Sequence, residues 1–354
     1  MNNKNILLST IYKADNYGAL FQAYSLNYFL QQKHQNSVFI LNSSPKKISR
    51  QFTALRTYSF KAFLKDLCRY HPRKQLINKF KDFITENFNE VTLKEISDLK
   101  IDLCVTGSDQ VWNPNIISFN NQLLGDYFFE NIDAKKIAFS ASLGSYRYND
   151  EQLSRFNKLI DSYSCITVRE QDTATYLSEV TSHDVFNTLD PTLIQPEGFW
   201  NKLTTDSFTK KDYILVYYNN KTKDLTETVN QIKNDLNLPV IVINNWYNSE
   251  INSDKYIRNA GPIDFLNAFK NAKYIITNTF HGVCFSINFK KEFLYIDNGI
   301  HSNRMTSLLS KVDGLHKIIT KNNEACINNL TKSISYEKLE NEKNLSTRIL
   351  MEHL

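Results

Sequence analysis

Tyr274-Ile275-Ile276-Thr277-Asn278-Thr279-Phe280-His281-Gly282-Val283-Cys284-Phe285-Ser286 passes from an apolar run, through a hydroxyl- and amide-rich turn, into a second apolar segment of helical character. Tyr274-Ile275-Ile276 predicts a short buried strand, and Phe280 to Phe289 a helix. Open α/β sheets bind ligands where the carboxyl end of a strand feeds the amino end of a helix. Backbone N–H groups at such a helix start attract anions. A histidine there can move protons near neutral pH. An imidazole beside an anion cradle points to chemistry on a phosphorylated or carboxylated small molecule.

The same alternation extends in both directions. Upstream of the motif, strands are predicted at Tyr213 to Tyr217 and Val240 to Ile243, with helices at Thr222 to Asn237 and Ile263 to Asn271. Downstream come a strand at Phe293 to Ile296 and a helix at Asn303 to Leu309. The first half repeats the pattern: strand Asn5 to Tyr12, helix Ala19 to Gln32, strand Ser37 to Leu41. Strands near Leu103 to Thr106, Ile137 to Ser140 and Cys165 to Val168 follow, and a helix opens at Arg169-Glu170-Gln171-Asp172. Strand-helix-strand repetition implies parallel sheets. The expected domains are 1–195, with a basic helical insertion near 45–100, then 196–335, then a terminal helix over 336–354 that packs back on the body.

The 354 residues suffice for two α/β domains. Apolar residues make up 42% and charged residues 22%, which argues for packed cores and against global disorder. A net charge of +5 suits an anionic substrate and is too small for nucleic acid. Cys68, Cys104, Cys165, Cys284 and Cys326 are widely spaced and odd in number, and no metal-ligand spacing is present. Cys104, Cys165 and Cys284 lie in apolar contexts that predict buried, reduced thiols. With neither a signal peptide nor an apolar window of spanning length, a cytoplasmic chain is expected, with contact at the inner face of the membrane left open.

Several strand ends carry candidate ligands, each with a structural alternative. Asn16 and Gly18 could line a crevice, or Asn16 could simply cap the next helix. Ser108 and Asp109 could bind a hydroxyl, and Trp112 could wall a sugar ring; the alternative is a structural turn with a core tryptophan. Ser142 and Gly144 allow close ligand approach or form a plain tight turn. Arg169 offers a fork for a carboxylate or phosphate, or pairs with Asp172 or Asp190. Arg304, after the loop His301-Ser302, reaches a phosphate or lies on the surface. His281, set between Thr279-Phe280 and Gly282, is the strongest candidate for a proton-transfer group.

Taken in order, these islands resemble the polysaccharide pyruvyl transferase family. The matching stretches are Asp15-Asn16-Tyr17-Gly18-Ala19, Gly107-Ser108-Asp109-Gln110-Val111-Trp112-Asn113-Pro114, Ser142-Leu143-Gly144, Val168-Arg169-Glu170, Leu189-Asp190-Pro191-Thr192, Phe280-His281-Gly282 and Asn303-Arg304. The resemblance implies an α/β fold with two Rossmann-like domains facing a cleft, similar to the glycosyltransferase B type. It implies phosphoenolpyruvate as co-substrate, no cofactor and no metal. The acceptor it implies is a sugar of a capsular, exopolysaccharide or cell-wall glycan, with a lipid-linked precursor as one form. A pyruvate ketal forms on two hydroxyls and phosphate is released. The family's important arginine and histidine match Arg169 and His281. Asn278-Thr279 departs from the common Asp-Ser before Phe-His-Gly. Donor contacts are expected from Asn16, Gly18, Ser142, Gly144, Thr279, Phe280, Gly282 and Arg304, and acceptor contacts from Ser108, Asp109 and Trp112. Two rival readings share the architecture or the ligand: a nucleotide-sugar-dependent glycosyltransferase, and a non-catalytic glycan-binding module.

Overall fold

The computed structural model describes residues 3–33, 35–43, 45–205, 211–244, 251–297, 299, 302–320 and 327–354. It separates into two compact units. The first comprises Met1–Phe52, Ile84–Gln195 and Glu340–Leu354, and the second Thr53–Phe83 and Pro196–Leu339.

The first unit holds a sheet of β1 (Asn5–Ser9), β2 (Ser37–Leu41), β3 (Glu90–Val91), β4 (Leu103–Thr106), β5 (Lys135–Ala141), β6 (Tyr163–Val168) and β7 (Val185–Asn187). Its order is β3-β2-β1-β4-β5-β6-β7, and every pairing is parallel. The central strands are apolar along their whole length because helices cover both faces. Leu103 to Thr106, for example, is buried at every position. Asn16 accepts hydrogen bonds from the Gly18 and Ala19 N–H groups and so starts the helix Tyr17–Gln32.

The second unit holds β8 (Ile214–Tyr217), β9 (Val240–Ile243), β10 (Lys255–Ile257), β11 (Tyr274–Thr277), β12 (Glu292–Ile296) and β13 (Ile318–Ile319), in the order β10-β9-β8-β11-β12-β13. Again all pairings are parallel. Each unit is thus a doubly wound, Rossmann-like α/β layer. Each sheet reverses its winding at one place, between β1 and β4 in the first unit and between β8 and β11 in the second. Doubly wound sheets bind ligands in the crevice outside such a reversal.

Two segments group otherwise than by chain order. Thr53–Phe83, expected within an insertion of the first half, belongs to the second unit. Its Leu76, Ile77, Phe80 and Phe83 are buried. Lys79 also bonds Asp264 at 2.6 Å, and the Asn259 amide donates to Gln75 at 2.7 Å. Glu340–Leu354, most of the helix Tyr336–His353, belongs to the first unit. There the Leu189 N–H donates to Ser346 Oγ at 3.0 Å. Cys104, Cys165 and Cys284 are buried, and burial pushes the Cys104 thiol up to about 12 and that of Cys165 up to about 11. Cys326 lies outside the described residues. Among the described residues, no helix is long and apolar enough to cross a membrane.

Candidate active site

At the reversal of the second sheet, β11 ends on Thr277, whose hydroxyl donates to the Tyr217 carbonyl at 2.6 Å and ties it to β8. Asn278 then bridges the gap with both ends of its amide. Its oxygen accepts from the Asn219 N–H at 3.1 Å, and its nitrogen donates to the Asn220 carbonyl at 2.6 Å. A carboxylate could accept the first bond but could not donate the second. The asparagine that departs from the family pattern therefore has a structural task here. Thr279 caps the helix Phe280–Asn288, its Oγ1 accepting from the Gly282 N–H at 2.9 Å and its carbonyl from the Val283 N–H at 3.2 Å.

Gly282 permits this arrangement. A Cβ there would lie 2.2 Å from Thr277 Oγ1 and 2.6 Å from Thr279 Oγ1. The rest of the helix is anchored by Phe285, whose ring packs edge-on against Trp200 at 5.0 Å and Phe265 at 5.3 Å. His281 is left half-buried on the first turn, its ring perpendicular to Phe280 at 5.2 Å. Arg304, on the helix Ser302–Ser310, is buried, with its guanidinium carbon 5.9 Å from the Phe280 ring centroid. The second unit thus gathers an imidazole, an aromatic ring and a guanidinium at one helix start. Arg304 is not the surface residue that the cautious reading of the sequence allowed. His301 lies outside the described residues.

In the first unit, Arg169 follows β6, and its N–H donates to the Ala141 carbonyl at 3.0 Å. Its guanidinium donates to Asp190 Oδ2 at 2.7 Å and to Asp109 Oδ1 at 3.1 Å. Asp190 also accepts from Ser108 Oγ at 3.2 Å, the Thr192 N–H at 2.9 Å and the Thr192 hydroxyl at 2.7 Å. Burial disfavours the charge on Arg169, but Asp190, Asp109 and Glu170 outweigh it and hold the group protonated. The fork expected to clasp a substrate anion is thus engaged with carboxylates of its own unit. Of the two alternatives seen in the sequence, Asp190 is the partner, while Asp172 pairs with Arg147 at 3.0 Å.

Asp109 is the outermost member of this cluster, its side chain 14% exposed. Its φ of +71° is a left-handed conformation that Asp tolerates better than most residues. Such outliers persist where the surroundings enforce them, often at functional sites. Here a parallel bridge to Ala141, the Arg169 pair and a 2.9 Å bond from the Gln110 N–H to Oδ1 do so.

The remaining candidates have structural partners. Ser142 is buried, donates to Glu170 at 2.5 Å and accepts the Gly144 N–H at 3.0 Å. Gly144 has φ +60°, so these two form the tight turn. Gly18 gives its N–H to Asn16, which acts as a cap. Trp112 is fully buried, stacked on Phe128 at 5.7 Å and edge-on to Phe156 at 5.2 Å. It is a core residue and presents no face to a sugar. The Asn113 amide, donating to the Leu143 carbonyl at 2.9 Å, fixes the loop so that the indole turns inward. The role of Asp190 as the hub of this cluster was not read from the sequence, although Asp before Pro-Thr is a capping signal. Among the described residues, no three His, Cys, Asp or Glu side chains are placed to hold a metal ion.

Two all-parallel units with this strand order define a fold of the glycosyltransferase B type. The solved UDP-GlcNAc 2-epimerase from Neisseria meningitidis, bound to UDP-GlcNAc, has this fold, with a TM-score of 0.51 at 10% identity, covering 98% of this chain and 99% of its own. The E. coli ADP-heptose LPS heptosyltransferase II matches with a TM-score of 0.41 at 11% identity, over 99% of this chain and 100% of its own. The Methanocaldococcus jannaschii UDP-GlcNAc 2-epimerase in complex with UDP-GlcNAc and UDP matches with a TM-score of 0.44 at 14% identity, over 97% and 92%. No curated protein matches the chain significantly. The chain belongs to the polysaccharide pyruvyl transferase family, whose model matches residues 16–300.

Proposed function

We propose that the protein transfers the enolpyruvyl group of phosphoenolpyruvate to two hydroxyls of a glycan-precursor sugar, forming a pyruvate ketal and releasing phosphate. The observation that carries this reading is the meeting of His281 and Arg304 on Phe280, at the helix start beside the β8/β11 reversal, in a member of this family. Arg304 and the helix start would hold the anionic groups of the donor. His281 would be the general acid.

In this scheme His281 gives a proton to the methylene carbon, and positive charge develops at C2. One sugar hydroxyl bonds to C2 and gives up its proton to the medium, from which His281 is reprotonated. The C2–O bond to phosphate breaks, phosphate keeping the electron pair, and the second hydroxyl closes the ring. The two hydroxyl protons balance the one now on the methyl group and the one carried off by phosphate. A positioned acid is worth roughly 10²–10⁴-fold in rate, and electrostatic preorganisation around the anions supplies much of the rest.

The test is donor binding followed by turnover. Phosphoenolpyruvate should raise the melting temperature, and UDP-GlcNAc should not. Arg304→Gln should weaken phosphoenolpyruvate binding about 10- to 100-fold, the range for a charge-assisted hydrogen bond. His281→Gln should keep binding within a few-fold and lose about 10²–10⁴-fold in phosphate release with a competent glycoside. Absence of stabilisation by phosphoenolpyruvate, or stabilisation by UDP-GlcNAc alone, would overturn the reading.

A further inference from the structure

The helix Phe60–Cys68 is inside out. Its one acidic residue, Asp66, is fully buried and receives the Arg56 fork at 2.8 Å through both Nε and Nη2, with Arg69 Nη2 at 2.9 Å. Arg69 and Arg73 are buried beside it. Three large apolar side chains point the other way, while Phe63 is half-buried: Phe60 is 78% exposed, Leu64 45% and Leu67 56%, with Tyr58 and Tyr70 exposed at either end. Phe60, Leu64 and Leu67 have i, i+4, i+7 spacing and share one face. Exposed Lys61, Lys65 and Lys74 surround them. Nothing about folding requires this orientation, since an ordinary surface helix buries its apolar stripe.

The charge is as localised as the apolar surface. Between Arg56 and Lys74 there are six basic residues and one acidic residue, a net +5. The whole chain, with 42 basic and 37 acidic residues, also carries +5. Of the six, Arg56, Arg69 and Arg73 turn inward to Asp66, and Lys61, Lys65 and Lys74 face solvent.

We propose that the face formed by Phe60, Leu64, Leu67 and their flanking lysines docks on an anionic phospholipid bilayer. Aromatic and leucine side chains reach the acyl boundary while lysines meet the headgroups, the pattern of an interfacial helix. The buried Asp66 cluster braces the helix so that this orientation is preset. A protein partner would be served by the apolar stripe alone, whereas the exposed lysines around the stripe match a negatively charged surface. This inference does not rest on the donor or the reaction proposed above.

The test is sedimentation of the full chain with vesicles of phosphatidylglycerol and phosphatidylcholine, compared with phosphatidylcholine alone. Binding should require phosphatidylglycerol and weaken with added salt. Lys61→Gln, Lys65→Gln and Lys74→Gln together should lower affinity about 100-fold, roughly fivefold per lysine. Phe60→Ser with Leu64→Ser should lower it more than about tenfold. Both sets replace exposed residues, and an unchanged melting temperature will show that folding is intact. The proposal fails if anionic vesicles are not bound at low salt, or if neither variant weakens binding. It also fails if the apolar variant instead abolishes a dimer seen by ultracentrifugation while vesicle binding is unaltered.

Discussion

Replacing Gly282 with alanine adds one methyl group, and its cost can be worked from the geometry. The new Cβ would sit 2.2 Å from Thr277 Oγ1, 2.6 Å from Thr279 Oγ1 and 2.9 Å from Thr277 Cβ. None of these atoms is the end of a flexible chain. Thr277 Oγ1 is fixed by its bond to the Tyr217 carbonyl, and Thr279 Oγ1 by capping the Gly282 N–H. Relief requires the helix start to move off the strand end by about 1 Å. That breaks a cap worth ~1 kcal/mol and a buried hydrogen bond worth about 1 kcal/mol, and leaves overpacking strain of about 1–3 kcal/mol. The better helix propensity of alanine returns only about 1 kcal/mol. The net loss is about 2–4 kcal/mol, which should lower Tm by roughly 5–15 °C. Where the variant still folds, a displacement of His281 by about 1 Å should cost on the order of 100-fold in turnover. Adding Thr277→Ala removes the nearest atom, so the double variant should lose less than the sum of the two single losses. The assay is calorimetric melting of the four proteins of this cycle, together with phosphate release. A Gly282→Ala protein with unchanged Tm and full turnover would refute the claim that this glycine sets the position of the histidine.

Other outcomes follow from the same geometry. Asp66→Asn leaves Arg69 and Arg73 buried with less compensation and should cost about 3–5 kcal/mol, read as a fall in Tm. Burial works against ionised Asp66, but hydrogen bonds from Arg56 and Arg69 prevail and hold it down at about 2, against an ordinary 3.8. Its ionised form therefore adds stability above pH ~4 that is lost as pH falls through about 2, so the gap in denaturant midpoint between wild type and Asp66→Asn should narrow over that range. Gly144→Ala forces φ +60° on a Cβ-bearing residue; it should cost about 1–2 kcal/mol, measured by chemical denaturation. Arg169→Met should cost about 3–5 kcal/mol by stranding Asp190; Arg169→Met with Asp190→Leu should recover most of that loss in the same assay.

The parts of the fold that the sequence revealed are those where burial is two-sided. Strands such as Leu103–Thr106 and Tyr274–Thr277 are continuous apolar runs between turn signals, because central parallel strands meet helices on both faces. The edge strands Glu90–Val91, Lys255–Ile257 and Ile318–Ile319 escaped notice because they are two or three residues long and carry no period. The allegiance of Thr53–Phe83 was illegible for another reason. Its buried Phe80 and Phe83 specify an apolar partner but not which unit supplies it, and the pairing of Lys79 with Asp264 spans 185 residues. Trp112 shows the limit of reading residue type alone. An indole just after a Gly-Ser-Asp turn suits a sugar or a core equally well, and only the rings of Phe128 and Phe156 decide between them.

The two sheet reversals are braced by the same device and end in different chemistry. In the first unit, the Thr10 hydroxyl donates to the Ser108 carbonyl at 2.8 Å, and Gly107 brings the strand ends together, a Cβ there lying 2.9 Å from Thr10 Cβ. In the second unit, Thr277 and Asn278 make the equivalent stitches to Tyr217, Asn219 and Asn220. Behind the first brace lies a polar cluster bonded within its own unit: Gln22 donates to Thr10 Oγ1 at 2.9 Å and to two backbone carbonyls, and Asp190 ties Ser108, Thr192 and Arg169 together. Such a cluster is rigid and offers little to an incoming dianion. Its outward feature is one carboxylate, Asp109, held in a costly conformation. Behind the second brace the helix start carries a half-buried imidazole with a guanidinium close by. An imidazole with a guanidinium suits an anionic donor that must be protonated. On this argument we propose that the second unit binds the donor. Arg304→Gln should then weaken phosphoenolpyruvate affinity by calorimetry, and Asp109→Asn should leave it unchanged. An Asp109→Asn protein that had lost phosphoenolpyruvate affinity would show that the second unit does not hold the donor by itself.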